Sequence, residues 1–384
     1  MTRVAVRGDV VRWARERSGA SLLDLTRRFP KLPEWEAEET QPTLRQLEDF
    51  AKKTLTPLGY LFLADPPYIP LPIPDFRTVQ EGVAPLPSPN LLETVHAMLR
   101  RQDWMRDYLV EQGQPALPFV GSASRDDPPA KVAAHMRATL GVGGAWAREH
   151  ATWTGALTAL IELAEQAGIF VVNNGIVGND THRKLDPEEF RGFVLTDGYA
   201  PFVFINTVDG RAAQMFTLAH ELAHVWFAQS AAFDLREMQP ARAPIEQTCN
   251  RVAAEFLVPE TEMRSAWPSV RSDDSPFGEL ARRFKVSALV VARRALDLNL
   301  VDRAGFFAFY ADYRDDARRQ AAAKPSGGNF WATQEGRIGR RFGEAVVRAT
   351  QEGRLLYRDA YELTGLRGGT FARYARRLEA DDRR

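Results

Sequence analysis

Two histidines and a glutamate stand together in Thr217–Phe227, TLAHELAHVWF, where His220, Glu221 and His224 fall in the order H-E-x-x-H. On an α-helix, residues four apart share a face, so both imidazoles point the same way and can hold one metal ion. Glu221 follows the first histidine directly and can reach a water on that ion as general base. The flanking Met215, Phe216, Leu218, Leu222, Val225, Trp226 and Phe227 are apolar around most of the circumference, which predicts a buried helix. Two imidazoles and a carboxylate inside such a helix need compensation, and a metal supplies it. The plainer alternative is a chance H-E-x-x-H whose histidines are satisfied by hydrogen bonds alone.

Catalytic zinc usually takes three protein ligands and leaves a fourth position for water. The sequence PIEQTCNRVAAEFLVP predicts a helix that opens on Pro244 and ends before Pro259, with Ile245, Cys249, Val252, Ala253 and Phe256 as its apolar stripe. Glu246 borders that stripe, and Glu255 lies farther round. Asn250 follows Glu246 by one turn, so the pair offers a ligand and a polar neighbour able to orient a histidine. Glu246 also suits the positive end of a helix dipole, an ordinary place for an acidic residue. Cys249 reads as a small core residue of the stripe.

Short β-branched and aromatic runs at Ile169–Asn173, Phe190–Thr196 and Pro201–Asn206 predict strands just ahead of the histidine helix. Pro201 opens the last of them, which suits an edge position and would let an extended peptide add as a further strand. Tyr199 and His182, upstream of the helix, are possible oxyanion donors, but the structural reading is favoured for each and neither is taken as catalytic. Helices are expected at Pro129–Leu140, at Thr154–Ala167, and after an Asn90 cap in LLETVHAMLRRQDWMRDYLVEQG, ended by Gly113.

FRGFVLTD (Phe190–Asp197), APFVFIN (200–206), FTLAHELAH (216–224) and E-x-x-x-N-R-V-A-A-E-F-L-V-P (246–259) together resemble the ImmA/IrrE family of metallopeptidases. The resemblance runs from about Pro74 to the C-terminus. It implies an α+β fold with a zincin-like core, a small mostly antiparallel sheet plus the HExxH helix, flanked by helical domains. It also implies Zn2+ held by His220, His224 and Glu246, with Mn2+ replacing it in some members, Glu221 as base, Asn250 beside the ligands, and cleavage of XRE-type repressors. Cys249 stands where the family usually has alanine, a small-for-small exchange.

The remaining chain divides by composition. Residues 1–64 read as short helices, with Ser21 and Thr43 as caps. Trp35, Glu36, Pro42, Thr43 and Leu44 are similar to the helix-turn-helix domain of XRE-type repressors, but only Arg27–Glu34 is left for a recognition helix, and it holds two prolines. A protein-contact module is therefore favoured over a DNA-binding one. Eight prolines in residues 65–90 predict an extended connector. The peptidase-like domain is expected at 91–268, a helix-turn-helix-like module at 269–320 (Glu279–Leu296, with Lys285 where glycine is usual), and an arginine-rich helical module at 321–384. In the last, 321–329 reads as a flexible link and Tyr357–Leu378 as helix, Gly365 turn, helix.

With 384 residues, 45% apolar and 26% charged, the chain can bury two or three cores, and its zero formal charge gives no global pull toward nucleic acid or membrane. A single cysteine excludes an internal disulfide framework and a thiolate metal cluster, and no leader-like or 18-residue apolar stretch is present; the expected setting is the cytoplasm. Two functions fit. One is a zinc endopeptidase cutting a regulatory protein, a repressor or antitoxin-like partner encoded nearby. The other is an antitoxin-like or transcriptional regulator, binding a toxin or DNA, with the peptidase fold as scaffold. Glu221 favours the first, because a scaffold has no chemical need for it.

Overall fold

The computed structural model describes residues 3–74, 86–233, 243–315 and 330–381. The expected link at 321–329, and part of the proline-rich connector, lie outside them. Contacts divide the chain into two compact units, one formed by residues up to 72 with those just before 97, the other by nearly all the rest. Among the described residues no helix is long and apolar enough to cross a membrane.

The N-terminal unit packs α1 (Gly8–Arg17), α2 (Leu22–Arg28), α3 (Leu32–Glu36) and α4 (Leu44–Lys53) around Val10, Val11, Leu25, Trp35, Leu47 and Phe50. Ser21 accepts from the Asp24 N–H, and Thr43 forms a reciprocal capping box with Gln46, as the sequence predicts. Trp35 meets Phe50 edge-on at 6.3 Å. The Glu36 carboxylate is clamped by Arg15 through Nε at 2.6 Å and Nη2 at 3.1 Å. Helix α3 has five residues, about 7.5 Å of helix. Its Leu32 and Trp35 face the core.

Helix α5 (Pro89–Glu111) starts two residues earlier than an Asn90 cap allows. Ser88 is the capping residue, its Oγ accepting from the Leu91 N–H at 3.1 Å. Likewise α7 (Trp153–Gln166) is capped by Thr152. Between them lies α6 (Pro129–Leu140). The sheet has the order β1 (Phe170–Asn174), β5 (Phe202–Asn206), β4 (Gly192–Leu195), β6 (Ala231–Phe233), with β1 parallel to β5 and the other pairs antiparallel. The edge position expected for the Pro201 strand is thus wrong: β5 is central. Pro201 is tolerated because it precedes the first paired residue and contributes only its carbonyl, which accepts from the Phe170 N–H at 2.8 Å. Gln102 of α5 fixes the β4–β5 turn, its amide donating to the Leu195 and Ala200 carbonyls at 2.8 and 2.9 Å. A separate hairpin, β2 (Ile176–Val177) with β3 (Asp180–Lys184), follows β1.

Helices α8 (Arg211–Trp226) and α9 (Pro244–Leu257) pack against each other, and α8 also packs on β4 and β5. Then come α10 (Glu260–Val270), α11 (Pro276–Phe284), α12 (Ala288–Asp297) and α13 (Arg303–Asp315). Leu280, Phe284, Val290 and Val291 of the α11–α12 pair belong to the same core as α8 and α9. Lys285 takes the left-handed turn conformation between α11 and α12 (φ 54°), held by an Nζ bond to the Arg282 carbonyl and by the Trp153 ring 5.6 Å away.

The C-terminal helices are α14 (Phe330–Ile338), α15 (Arg340–Gln351), α16 (Tyr357–Thr364) and α17 (Gly368–Asp381), with Gly365 in the expected left-handed turn. Helix α14 covers the outer edge of β1. Gly339 (φ 83°) passes so close that a Cβ there would stand 3.0 Å from the Val171 carbonyl oxygen. Beside it Glu165, in the last turn of α7, is buried, and burial raises its pKa from 4.5 to about 7. The Glu344 charge adds to the rise, and Arg341 and nearby backbone N–H groups oppose it. A carboxyl with a raised folded pKa favours folding while protonated, so its contribution is complete below pH 4.5 and disappears as pH passes through about 7. Thermal unfolding across that window should show a fall in Tm with rising pH that Glu165→Gln reduces; identical slopes in both proteins would refute the assignment.

Candidate metal centre

Helix α8 is built to be enclosed. Every residue from Gln214 to Trp226 is buried. Its first turn is tied by Gln214, whose amide donates to the Asp209 carbonyl at 2.6 Å. At the other end two carbonyls that lack intrahelical partners are met from outside, Val225 by the Gly121 N–H at 3.1 Å and Trp226 by the Ala123 N–H at 2.9 Å. Trp226 also stacks on Phe119 at 4.7 Å and donates its indole N–H to His135 Nδ1 at 3.2 Å. Both ends being pinned, the histidines in the last two turns have fixed positions.

Helix α9 buries Ile245, Cys249, Val252, Ala253 and Phe256 as the stripe predicts, which turns Glu246 and Asn250 toward α8. Glu255 points elsewhere and pairs with Arg294 of α12. His220 Nε2 lies 3.0 Å from Glu246 Oε2, and His224 Nε2 lies 3.1 Å from both His220 Nε2 and Glu246 Oε1. Among the described residues, His220, His224 and Glu246 are the group of histidine, cysteine and acidic side chains able to hold a metal, with ligand atoms all within 4.8 Å. Asn250 Oδ1 sits 3.1 Å from His220 Nδ1.

This donor set can be tested against a cation. If His220 donates from Nδ1 to the Asn250 oxygen, its Nε2 carries a lone pair that faces the Glu246 carboxylate. Burial lowers the His220 pKa and favours that neutral ring. Acceptors facing one another inside an apolar core repel unless a proton or a cation lies between them. Donors sharing one tetrahedral ion at ~2.0–2.2 Å stand roughly 3.3–3.6 Å apart, a few tenths of an ångström wider than the observed spacings. Glu246 has a pKa of about 2: burial acts to raise it, and hydrogen bonds and charge from both histidines outweigh that. The residues fit a divalent metal.

Glu221 lies beside this group without joining it. Among the described residues neither of its buried carboxylate oxygens has a hydrogen-bond partner, and burial together with the Glu246 charge pushes its pKa well up. Burial and the same two carboxylates push the Cys249 thiol up, so it stays a neutral core residue outside the cluster. Tyr199 lies in the β4–β5 turn and His182 on exposed β3, and neither enters the group.

Gly192 was not among the residues expected at the site. It opens β4 directly against α8: a Cβ there would stand 2.7 Å from Thr217 Cγ2, 2.9 Å from the Phe204 carbonyl oxygen and 3.1 Å from Glu221 Oε1. A glycine inside a strand pattern signals such a close approach, and that signal was available in FRGFVL. Gly192→Ala should overpack the α8–β4 contact and destabilise the protein by about 1–3 kcal/mol, measured by denaturant unfolding; an unchanged midpoint would show that the contact is slack.

Residues 164–296 match the family model of the IrrE N-terminal-like domain, peptidase family M78. The matched stretch runs from the end of α7 through α12 and contains the whole cluster. It supports a metallopeptidase-like, ImmA/IrrE-type domain at this position. Residues 338–377 match a domain of unknown function. No curated protein matches the chain.

Proposed function

We propose that the protein is a zinc-dependent endopeptidase with a zincin-like core, in which His220, His224 and Glu246 hold the metal and Glu221 is the general base. The observation that carries this reading is Glu221: a buried carboxylate with no partner, next to a cluster that needs a cation, is costly to keep unless it acts. A divalent ion in the cluster would lower the pKa of a water toward neutrality and polarise a scissile carbonyl. With the ion's charge favouring the ionised form, Glu221 would accept a proton from the attacking water on a carboxylate oxygen as the water oxygen adds to the carbonyl carbon. The same proton passes to the amide nitrogen as the C–N bond breaks. Asn250 holds the His220 ring in the orientation that keeps Nε2 free of its proton.

The substrate in this reading is a regulatory protein, an XRE-type repressor or antitoxin-like partner encoded nearby, and the N-terminal unit selects it by protein contact. The short α3, with its apolar residues turned inward, supports that over insertion into a major groove. Manganese is the alternative ion, since nitrogen and oxygen donors suit both metals.

Metal content and cleavage separate the roles. Glu221→Gln should bind metal at the wild-type stoichiometry and cut none of the neighbouring-gene proteins that the wild type cuts. His224→Ala should lose both properties, and Glu246→Ala should lose most of its metal. Full metal occupancy in His224→Ala, measured by inductively coupled plasma mass spectrometry, would remove the site as drawn. Stable binding of a neighbouring protein by wild type and Glu221→Gln alike, with no fragment from either, would replace the peptidase by a scaffold.

A further inference from the structure

Helices α5 and α15 do not close on each other completely. Between them lies a cleft of about 270 Å³. Its floor is apolar, formed by buried Met105, Leu109 and Ala345. Its walls carry charge, and the charges are not equally satisfied. Glu344 is paired with Arg340 at 3.0 Å. Arg354, just outside, is paired with Glu111 at 3.1 Å and lies 5.6 Å over the Tyr108 ring. Arg341 is anchored from behind: its Nη1 donates to the Glu165 carbonyl at 3.0 Å, and its guanidinium lies 5.1 Å over Phe170. The Glu165 and Glu344 carboxyls act on it as well, so Arg341 brings a pre-positioned but partly offset positive charge to the cleft wall. Arg348, one helical turn beyond Glu344, is exposed, and among the described residues its side chain makes no hydrogen bond or ion pair.

An apolar floor beside two guanidinium groups, one pre-positioned and one unengaged, selects a ligand with an apolar body and an anionic head. Arginine binds carboxylate and phosphate through paired N–H donors, and a guanidinium already held in place loses less entropy in doing so. The volume falls just below the ~300–1,000 Å³ of pockets for drug-sized molecules, so the ligand is smaller than those. We propose that this cleft binds a small organic anion, an acid or phosphate monoester with a compact hydrophobic body, its head on Arg341 and Arg348 and its body on Met105, Leu109 and Ala345. This site is separate from the metal cluster and does not rest on the peptidase reading.

Calorimetric titration of the full chain with benzoate and with phenyl phosphate tests it, with benzamide and inorganic phosphate each lacking one half of the recognition. At least one aryl anion should bind saturably at one site per chain, more tightly than either control by tenfold or more, and the tighter of the two identifies the head group. Arg348→Ala, at an exposed position, should weaken that binding at least tenfold with Tm unchanged. Ala345→Phe, which fills the floor, should abolish it. Absence of saturable binding by both aryl anions would overturn the proposal. So would equal affinity in wild type and both variants, because the probe would then lie elsewhere.

Discussion

Inside the apolar core of the larger unit, two imidazole nitrogens and a carboxylate are held about 3 Å apart, so close that a proton or a cation has to lie between them. Hydrophobic neighbours cannot take that place. A divalent cation would satisfy all three at once, and the surrounding structure keeps them in position. Asn250 fixes the His220 ring, the loop at Gly121 and Ala123 locks the end of α8, and the stripe of α9 sets the direction of Glu246. Glu221 shares the enclosure but sits on the sheet side, where Gly192 leaves room for it. A side chain at that strand position would press on the Glu221 carboxylate.

The C-terminal helices solve a different problem. Among the described residues strand β1 ends the sheet, and a strand edge left open is a standing liability for pairing with another chain. Helix α14 covers it, and Arg337 and Arg101 stitch the module down through Asn174 and the Leu363 carbonyl at 3.1 and 2.8 Å. Because the seal depends on close backbone approach at Gly339 and on a buried Glu165, the same junction carries both a conformational and an electrostatic constraint. Arg341 links this junction to the cleft against α5.

The grouping of His220, His224 and Glu246 was legible in the sequence because a four-residue spacing on a helix is a geometric statement, and because the α9 stripe fixed the face on which Glu246 and Asn250 had to lie. Helix caps at Ser21 and Thr43 were legible for the same local reason. Asn90 was misread since Ser88, two residues earlier, competes for the same role and Pro89 suits the first helical position that Ser88 then caps. Strand order was not legible: the parallel β1–β5 pairing joins residues more than 25 apart, and a proline at a strand's entrance looks the same on an edge or in the centre. β6 escaped notice because three residues, AAF, carry too little alternation to signal a strand. The α3 segment was readable as too short for a recognition helix, since its prolines are visible directly.

The proposed centre is a single ion shared by two imidazoles and one carboxylate, with sulfur excluded. X-ray absorption spectroscopy on the zinc-loaded protein measures that shell directly. It should show two histidine nitrogens and one or two carboxylate or water oxygens at ~2.0–2.2 Å, with no sulfur scatterer. A sulfur at ~2.3 Å would bring Cys249 into the shell, and a shell without imidazole scattering would take the metal away from α8; either would contradict the centre described for His220, His224 and Glu246.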